Sequence, residues 1–180
     1  MISGKKEAQI TSKQDISDHI GKSKNYCFVD VGGGSTEVII FKNSQIFKLK
    51  SFKIGCVRLL DDSVNNKTWS KFESWLTENA KELKKLKIVG IGGNINKIFK
   101  ISGTKHSKPL GKKSFLKTLK KIESMSITER LTVLKLNPDR ADVIVPAGKI
   151  YYFILKTLKV KDIYVPKIGL ADGMVNELIK

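Results

Sequence analysis

Asp30-Val31-Gly32-Gly33-Gly34-Ser35-Thr36-Glu37 is the stretch on which the reading of this chain turns. It follows the apolar run Tyr26-Cys27-Phe28-Val29 and precedes Val38-Ile39-Ile40-Phe41, and each run reads as a buried strand. Two strands joined through three consecutive glycines form a hairpin whose turn has little side chain to shield its backbone. Open N–H groups in such a turn make a concave nest for anions. Ser35 and Thr36 add hydroxyls at the same edge. Asp30 and Glu37 bracket the loop with carboxylates, which repel a bare phosphate. They sit well beside a phosphate when a divalent cation lies between, because hard cations take oxygen ligands.

Outward from the loop, Ser44 to Phe52 alternates apolar and polar residues and suits a third antiparallel strand after a turn at Lys42-Asn43-Ser44. Gly55-Cys56-Val57-Arg58-Leu59 begins a short helix, and Trp69 to Leu86 has the spacing of an amphipathic one. Leu86 to Ile91 reads as a buried strand running into Gly92-Gly93-Asn94 and a helix from Ile95 to Lys100, with Asn94 as its cap. A strand, two glycines and a helix start form a second place where an anion is favoured. Ser102 to Gly111 reads as a loop with His106 in solvent, and Lys112 to Ser124 and Thr128 to Leu134 as helices. The longest apolar helix spans Val143 to Leu158, with Pro146 in its first turn, followed by a strand at Asp162 to Pro166. At the ends, Ser3 caps a helix running to His19 or Ile20, and Gly173 leads into a C-terminal helix.

The chain has 180 residues and 41% hydrophobic content, enough for one domain with a core of its own. No apolar run approaches the ~20 residues that cross a bilayer, and the first residues lack the apolar core of a signal peptide. These features lead us to expect a cytoplasmic protein without membrane partners. Cys27 and Cys56 are the only cysteines, show no zinc-type spacing, and are read as reduced. The formal net charge of +17 favours polyanions. The excess is nearly all lysine, since Arg58, Arg130 and Arg140 are the only arginines. Base-reading proteins lean on arginine forks, so sequence-specific nucleic-acid binding is disfavoured.

The octapeptide resembles the second phosphate loop, D-[IV]-G-G-G-S-T-E, of the Ppx/GppA phosphatases, which are exopolyphosphatases and guanosine pentaphosphate phosphohydrolases of the actin-like ATPase superfamily. Further points of resemblance follow in family order. Ile2-Ser3-Gly4-Lys5-Lys6-Glu7-Ala8 is similar to I-S-G-x-E-E-A, with Lys6 in place of the first glutamate. Gly55 to Arg58 is similar to G-x-V-R, and Gly90 to Asn94 to G-x-G-G-T, with Asn94 for the threonine. Arg140-Ala141-Asp142 matches R-A-D, and Gly169 to Gly173 is similar to G-L-R-[ED]-G, with Ala171 for the arginine.

The resemblance implies an α/β fold of the actin-like (ribonuclease H-like) kind, a mixed sheet led by three antiparallel strands with helices on both faces. It implies Glu7 as catalytic base and phosphate contacts from Gly32, Gly33, Gly34, Ser35, Thr36, Arg58, Gly92 and Gly93. Magnesium would sit at Asp30 and Glu37, and the substrate would be inorganic polyphosphate or guanosine pentaphosphate. Residues 1–180 would form a single domain resembling the second subdomain of the family core, because nothing here matches the first phosphate loop, D-x-G-S-N-S. A homodimer is an expectation for the full-length form. Two other readings stay open on the residues alone: a non-catalytic polyanion-binding module built on the lysine surface, and an ATP-binding half of an actin-like or sugar-kinase protein.

Overall fold

The computed structural model describes residues 24–166, and three strands lead it. Tyr26–Val31 (β1) and Thr36–Lys42 (β2) pair antiparallel, with Asp30 directly across from Glu37. Gln45–Phe52 (β3) pairs antiparallel with β2. Asn43 and Ser44 make the turn between them at φ 53° and 65°, the pair of left-handed residues a two-residue hairpin needs. Then come Cys56–Leu60 (α1), Asn66–Ala80 (α2), Lys87–Ile91 (β4), Gly93–Ile101 (α3), Leu110–Gly111 (β5) and Lys112–Glu123 (α4). Ile127–Thr132 (α5), Pro138–Ala141 (α6), Ile144–Thr157 (α7) and Asp162–Tyr164 (β6) complete the order.

The six strands form one mixed sheet in the order β3-β2-β1-β4-β6-β5. β1 runs parallel to β4 and β4 to β6, while the remaining pairs are antiparallel. The parallel register sets Asp30 beside Ile91. The chain therefore leaves β1 and β4 at the same edge of the sheet, and both glycine turns lie there.

Strand alternation sorts the core into two layers. Cys27, Val29, Val31, Val38, Ile40, Ile88 and Ile163 face the helices and join the larger cluster. Phe28, Ile39, Val89 and Ile91 face the other way and cluster with Tyr26, Phe41 and Tyr164. Every buried apolar side chain of a described helix belongs to the larger cluster. Helices were expected on both faces; residues 1–23 and 167–180, which hold the first and last expected helices, lie outside the described residues.

α7 is the hub of the helical layer, buried at Ile144, Val145, Ala147, Gly148, Ile150, Tyr151, Ile154 and Leu155. Gly148 lets α4 come close, because a Cβ there would stand 2.4 Å from Leu119 Cδ1. Tyr151 crosses the core to the sheet, its hydroxyl 3.0 Å from the Val29 carbonyl and 2.8 Å from the Ile91 carbonyl. Arg130 is a buried cation that donates to the carbonyls of Ile122 at 3.0 Å and Ala141 at 2.9 Å. It so ties the end of α4 to α6.

Several boundaries differ from the sequence reading. α2 begins three residues earlier than Trp69, because Asn65 Oδ1 accepts from the Thr68 N–H at 2.9 Å and caps it. It stops at Ala80, and Leu83 and Leu86 still pack inward from the turn that follows, which holds Lys85 at φ 55°. The stretch read as a loop to Gly111 ends in β5, because Leu110 pairs with Ile163 at the sheet edge. Asn94 does not cap α3; Gly92, at φ 93°, holds that position and the helix starts at Gly93.

Burial pushes the Tyr151 phenol well above its usual range, and the nearby Asp30 charge adds to this. A phenol raised on folding contributes stability that is present below about pH 10 and is lost as pH climbs above it. Tyr151→Phe should lower stability at neutral pH by about 1–3 kcal/mol, since two buried carbonyls lose a donor. It should also flatten the alkaline fall in stability, as read by urea denaturation across a pH series.

Candidate functional site

The site is built from carbonyl groups before it is built from side chains. In the first turn of α1, Cys56 N–H donates to the Gly32 carbonyl at 2.9 Å and Val57 N–H to the Gly33 carbonyl at 3.0 Å. Arg58 Nε donates to the Gly34 carbonyl at 2.8 Å. A trans peptide points its N–H opposite to its C=O. Each held carbonyl therefore turns the next N–H away from α1, and those N–H groups belong to Gly33, Gly34 and Ser35. None of the three meets an acceptor among the described residues. A row of open N–H groups of this kind is the arrangement that an anion nest requires.

Gly32 is placed differently. Its N–H donates to the Ser35 carbonyl at 2.9 Å and closes the turn, so it shapes the loop without supplying a donor. Thr36 is a correction as well. Its side chain falls on the core face of β2, fully buried, and its hydroxyl donates to the Ile54 carbonyl at 2.5 Å. Strand alternation puts it on the opposite side from Glu37, so it fixes the strand entry and has no path to a ligand.

Gly55 is a further requirement. A Cβ there would stand 2.1 Å from the Gly33 carbonyl oxygen and 2.5 Å from the Gly34 carbonyl carbon. The residue before α1 thus has to be glycine for α1 to reach the loop. Arg58 is exposed, and its Nε is committed to the loop.

The second glycine turn closes the other side. Asp30 Oδ1 lies 2.6 Å from where a Cβ on Gly92 would be, so the carboxylate rests directly against the turn that starts α3. The positive end of the α3 dipole favours an anion there. Gly93 is covered by Arg140, whose Nη2 lies 2.5 Å from a Cβ built at that glycine and whose Nη1 is 3.4 Å from the Gly93 carbonyl. Sequence matching reached Arg140 only as a motif position. Its place against Gly93 depends on a contact 47 residues apart along the chain, which local spacing does not reveal. Asn94 turns its Nδ2 toward Cys56 Sγ at 3.8 Å, and its Oδ1 is buried without a partner among the described residues. Burial raises the Cys56 thiol, which keeps it protonated and inert.

Asp30 and Glu37 offer two carboxylates on one face, across the β1–β2 pair. Ser35 Oγ and Ser51 Oγ donate to Glu37 Oε1 at 2.5 Å and 2.7 Å, and Oε2 has no hydrogen-bond partner among the described residues. Among the described residues no three His, Cys, Asp or Glu side chains gather to hold a metal. This donor set fits magnesium, which takes one or two carboxylates and completes its shell with water and substrate phosphate. It does not fit a closed protein cage. Glu7 lies outside the described residues.

A family model described as the Ppx/GppA phosphatase family matches residues 1–180. A bifunctional 3-dehydroquinate synthase/phosphatase of Fusobacterium nucleatum is 37% identical over 106 residues, covering 51% of this chain and 16% of that protein. A guanosine-5'-triphosphate,3'-diphosphate pyrophosphatase of Photobacterium profundum is 43% identical over 61 residues, 34% of this chain and 12% of that protein. Among solved structures, the Aquifex aeolicus Ppx/GppA family member superposes with a TM-score of 0.61 at 22% identity, over 93% of this chain and 62% of its own. An exopolyphosphatase of Cytophaga hutchinsonii superposes with a TM-score of 0.66 at 21% identity, over 98% of this chain and 64% of its own. The likeness identifies the fold as the actin-like ATPase kind. The chain spans less than two thirds of the length of each of these proteins.

If the α1 contact sets the loop, Gly55→Ala should destabilise the protein by about 1–3 kcal/mol, the scale of forced overpacking. Gly34→Ala is the control, because a Cβ there meets nothing within 4 Å. It should stay within about 0.5 kcal/mol of the parent. Equal effects of the two in chemical denaturation would contradict the packing described.

Proposed function

The chain belongs to the Ppx/GppA phosphatase family, and from that premise we propose that it takes part in hydrolysing the terminal phosphoanhydride bond of inorganic polyphosphate or guanosine pentaphosphate. The observation that supports this best is the row of three outward N–H groups at Gly33, Gly34 and Ser35, with Asp30 facing Gly92 beside it. Terminal phosphoryl oxygens accept from those N–H groups, and the Arg58 charge draws the anion in. Arg140 adds positive charge at the α3 side, where the phosphate approaches Gly92 and Gly93. Magnesium held by Asp30 and Glu37 Oε2 supplies charge neutralisation at the phosphates when bound.

Glu7 takes the general-base role on the family pattern at Ile2 to Ala8. Its carboxylate removes a proton from the attacking water, the water oxygen bonds to the terminal phosphorus, and the bridging P–O bond breaks. Orthophosphate leaves with the shortened chain behind it. The described residues supply one wall of this cleft, and the opposite wall is the family's other subdomain. On this reading residues 1–180 alone hydrolyse little, and the setting is the cytoplasm.

The test is magnesium-dependent phosphate release from tripolyphosphate by this chain joined to the first subdomain of a full-length family member. Glu7→Gln keeps size and hydrogen bonding but removes the base, and should lower turnover by about two to four orders of magnitude with substrate binding kept. Turnover equal to the parent would remove Glu7 from the chemistry. Asp30→Asn should abolish most of the magnesium response.

A further inference from the structure

β3 stands at one end of the sheet order, and every residue from Gln45 to Ser51 is exposed. A strand with one neighbour turns alternate N–H and C=O groups outward, unpaired. β3 has eight residues and no proline, against a usual strand of about 5–6 residues, so the outward row is long.

The register sorts its side chains between the two faces. Leu49 stands opposite Ile39 and Ile46 opposite Phe41. Both therefore carry the second-face cluster out to the edge, at 46% and 44% exposure. Lys48 stands opposite Ile40 and Lys50 opposite Val38, on the face toward the helices. Phe47 is the extra residue of a bulge between these pairs. The Lys42 and Lys48 ammonium groups lie 5.3 Å and 5.5 Å from its ring centre.

Lysines and a bulge are common guards of a sheet edge. Two copies of β3 paired with each other set lysines against lysines, and like charges directly opposite are destabilising. The chain carries no acid from Val38 to Leu60. Lys42, Lys48, Lys50 and Lys53 have no carboxylate partner among the described residues. An incoming strand with acids at alternate positions sets them beside Lys48 and Lys50. Its remaining side chains then fall beside Ile46 and Leu49, where apolar ones are favoured.

We propose that β3 is a docking edge for an extended acidic segment of another protein, which adds a further strand to the sheet. Main-chain hydrogen bonds supply the pairing, and the alternation of lysine with apolar side chains selects the segment. The charge that keeps a second copy away is the charge that draws this partner in.

The test uses the full chain and three labelled peptides of equal length. One alternates glutamate with valine, one is the same peptide with every backbone nitrogen methylated, and one carries lysine for glutamate. Fluorescence anisotropy should show the first binding about tenfold or more tighter than either of the others, the scale of two lost ladder hydrogen bonds. The backbone amide signals of Ile46 to Ser51 should move as it binds. Lys48→Glu with Lys50→Glu, both exposed, should weaken the glutamate peptide about tenfold and take up the lysine peptide instead. Lys159→Glu with Lys161→Glu, at the other end of the sheet, should leave affinity within about twofold. No binding of the glutamate peptide at about 1 mM, undiminished binding of the methylated one, or equal loss in both charge-reversed variants would each overturn the proposal. Signal shifts that spare β3, or self-association of the chain through β3, would overturn it as well.

Discussion

The site depends on three carbonyl groups being held from one side. Cys56 N–H, Val57 N–H and Arg58 Nε take the carbonyls of Gly32, Gly33 and Gly34, and peptide planarity does the rest. A three-glycine loop left to itself samples many conformations and presents its N–H groups in all directions. Tied to the start of α1, it presents them outward in sequence. The cost is borne at Gly55, where any side chain would occupy the space of the Gly33 carbonyl.

The remainder of the described fold holds that contact in place. Parallel pairing of β1 with β4 brings the Asp30 carboxylate to Gly92, and Tyr151 ties the ends of both strands to α7 from below. Arg130 accomplishes the same for the far side. Its buried guanidinium holds the Ala141 carbonyl, and the adjacent Arg140 is thereby set against Gly93. Positive charge near the site is thus positioned by an interior cation whose partners among the described residues are backbone carbonyls.

Much of this was legible in the chain. The strand–glycine–strand phrase at Asp30 to Glu37 identified the hairpin, and Ile88 to Gly93 identified the second turn, because both signals are local. Thr36 was misread because adjacency in sequence was taken as adjacency in space, whereas in a strand the next residue faces the other way. Asn94 was misread as a cap because Gly92 adopts a left-handed backbone that starts the helix earlier. β5 escaped notice because two residues at a sheet edge have no periodicity to read. Arg140 at Gly93 and Tyr151 at Val29 and Ile91 are long-range contacts, invisible to local spacing.

Backbone amide chemical shifts during titration with pyrophosphate, with and without magnesium, test the loop most directly. The N–H signals of Gly33, Gly34 and Ser35 should move most, that of Gly32 should move less because Ser35 holds it, and magnesium should tighten the response. Shifts scattered over the surface lysines, with Gly33, Gly34 and Ser35 unmoved, would contradict the assignment of this loop as the phosphate site.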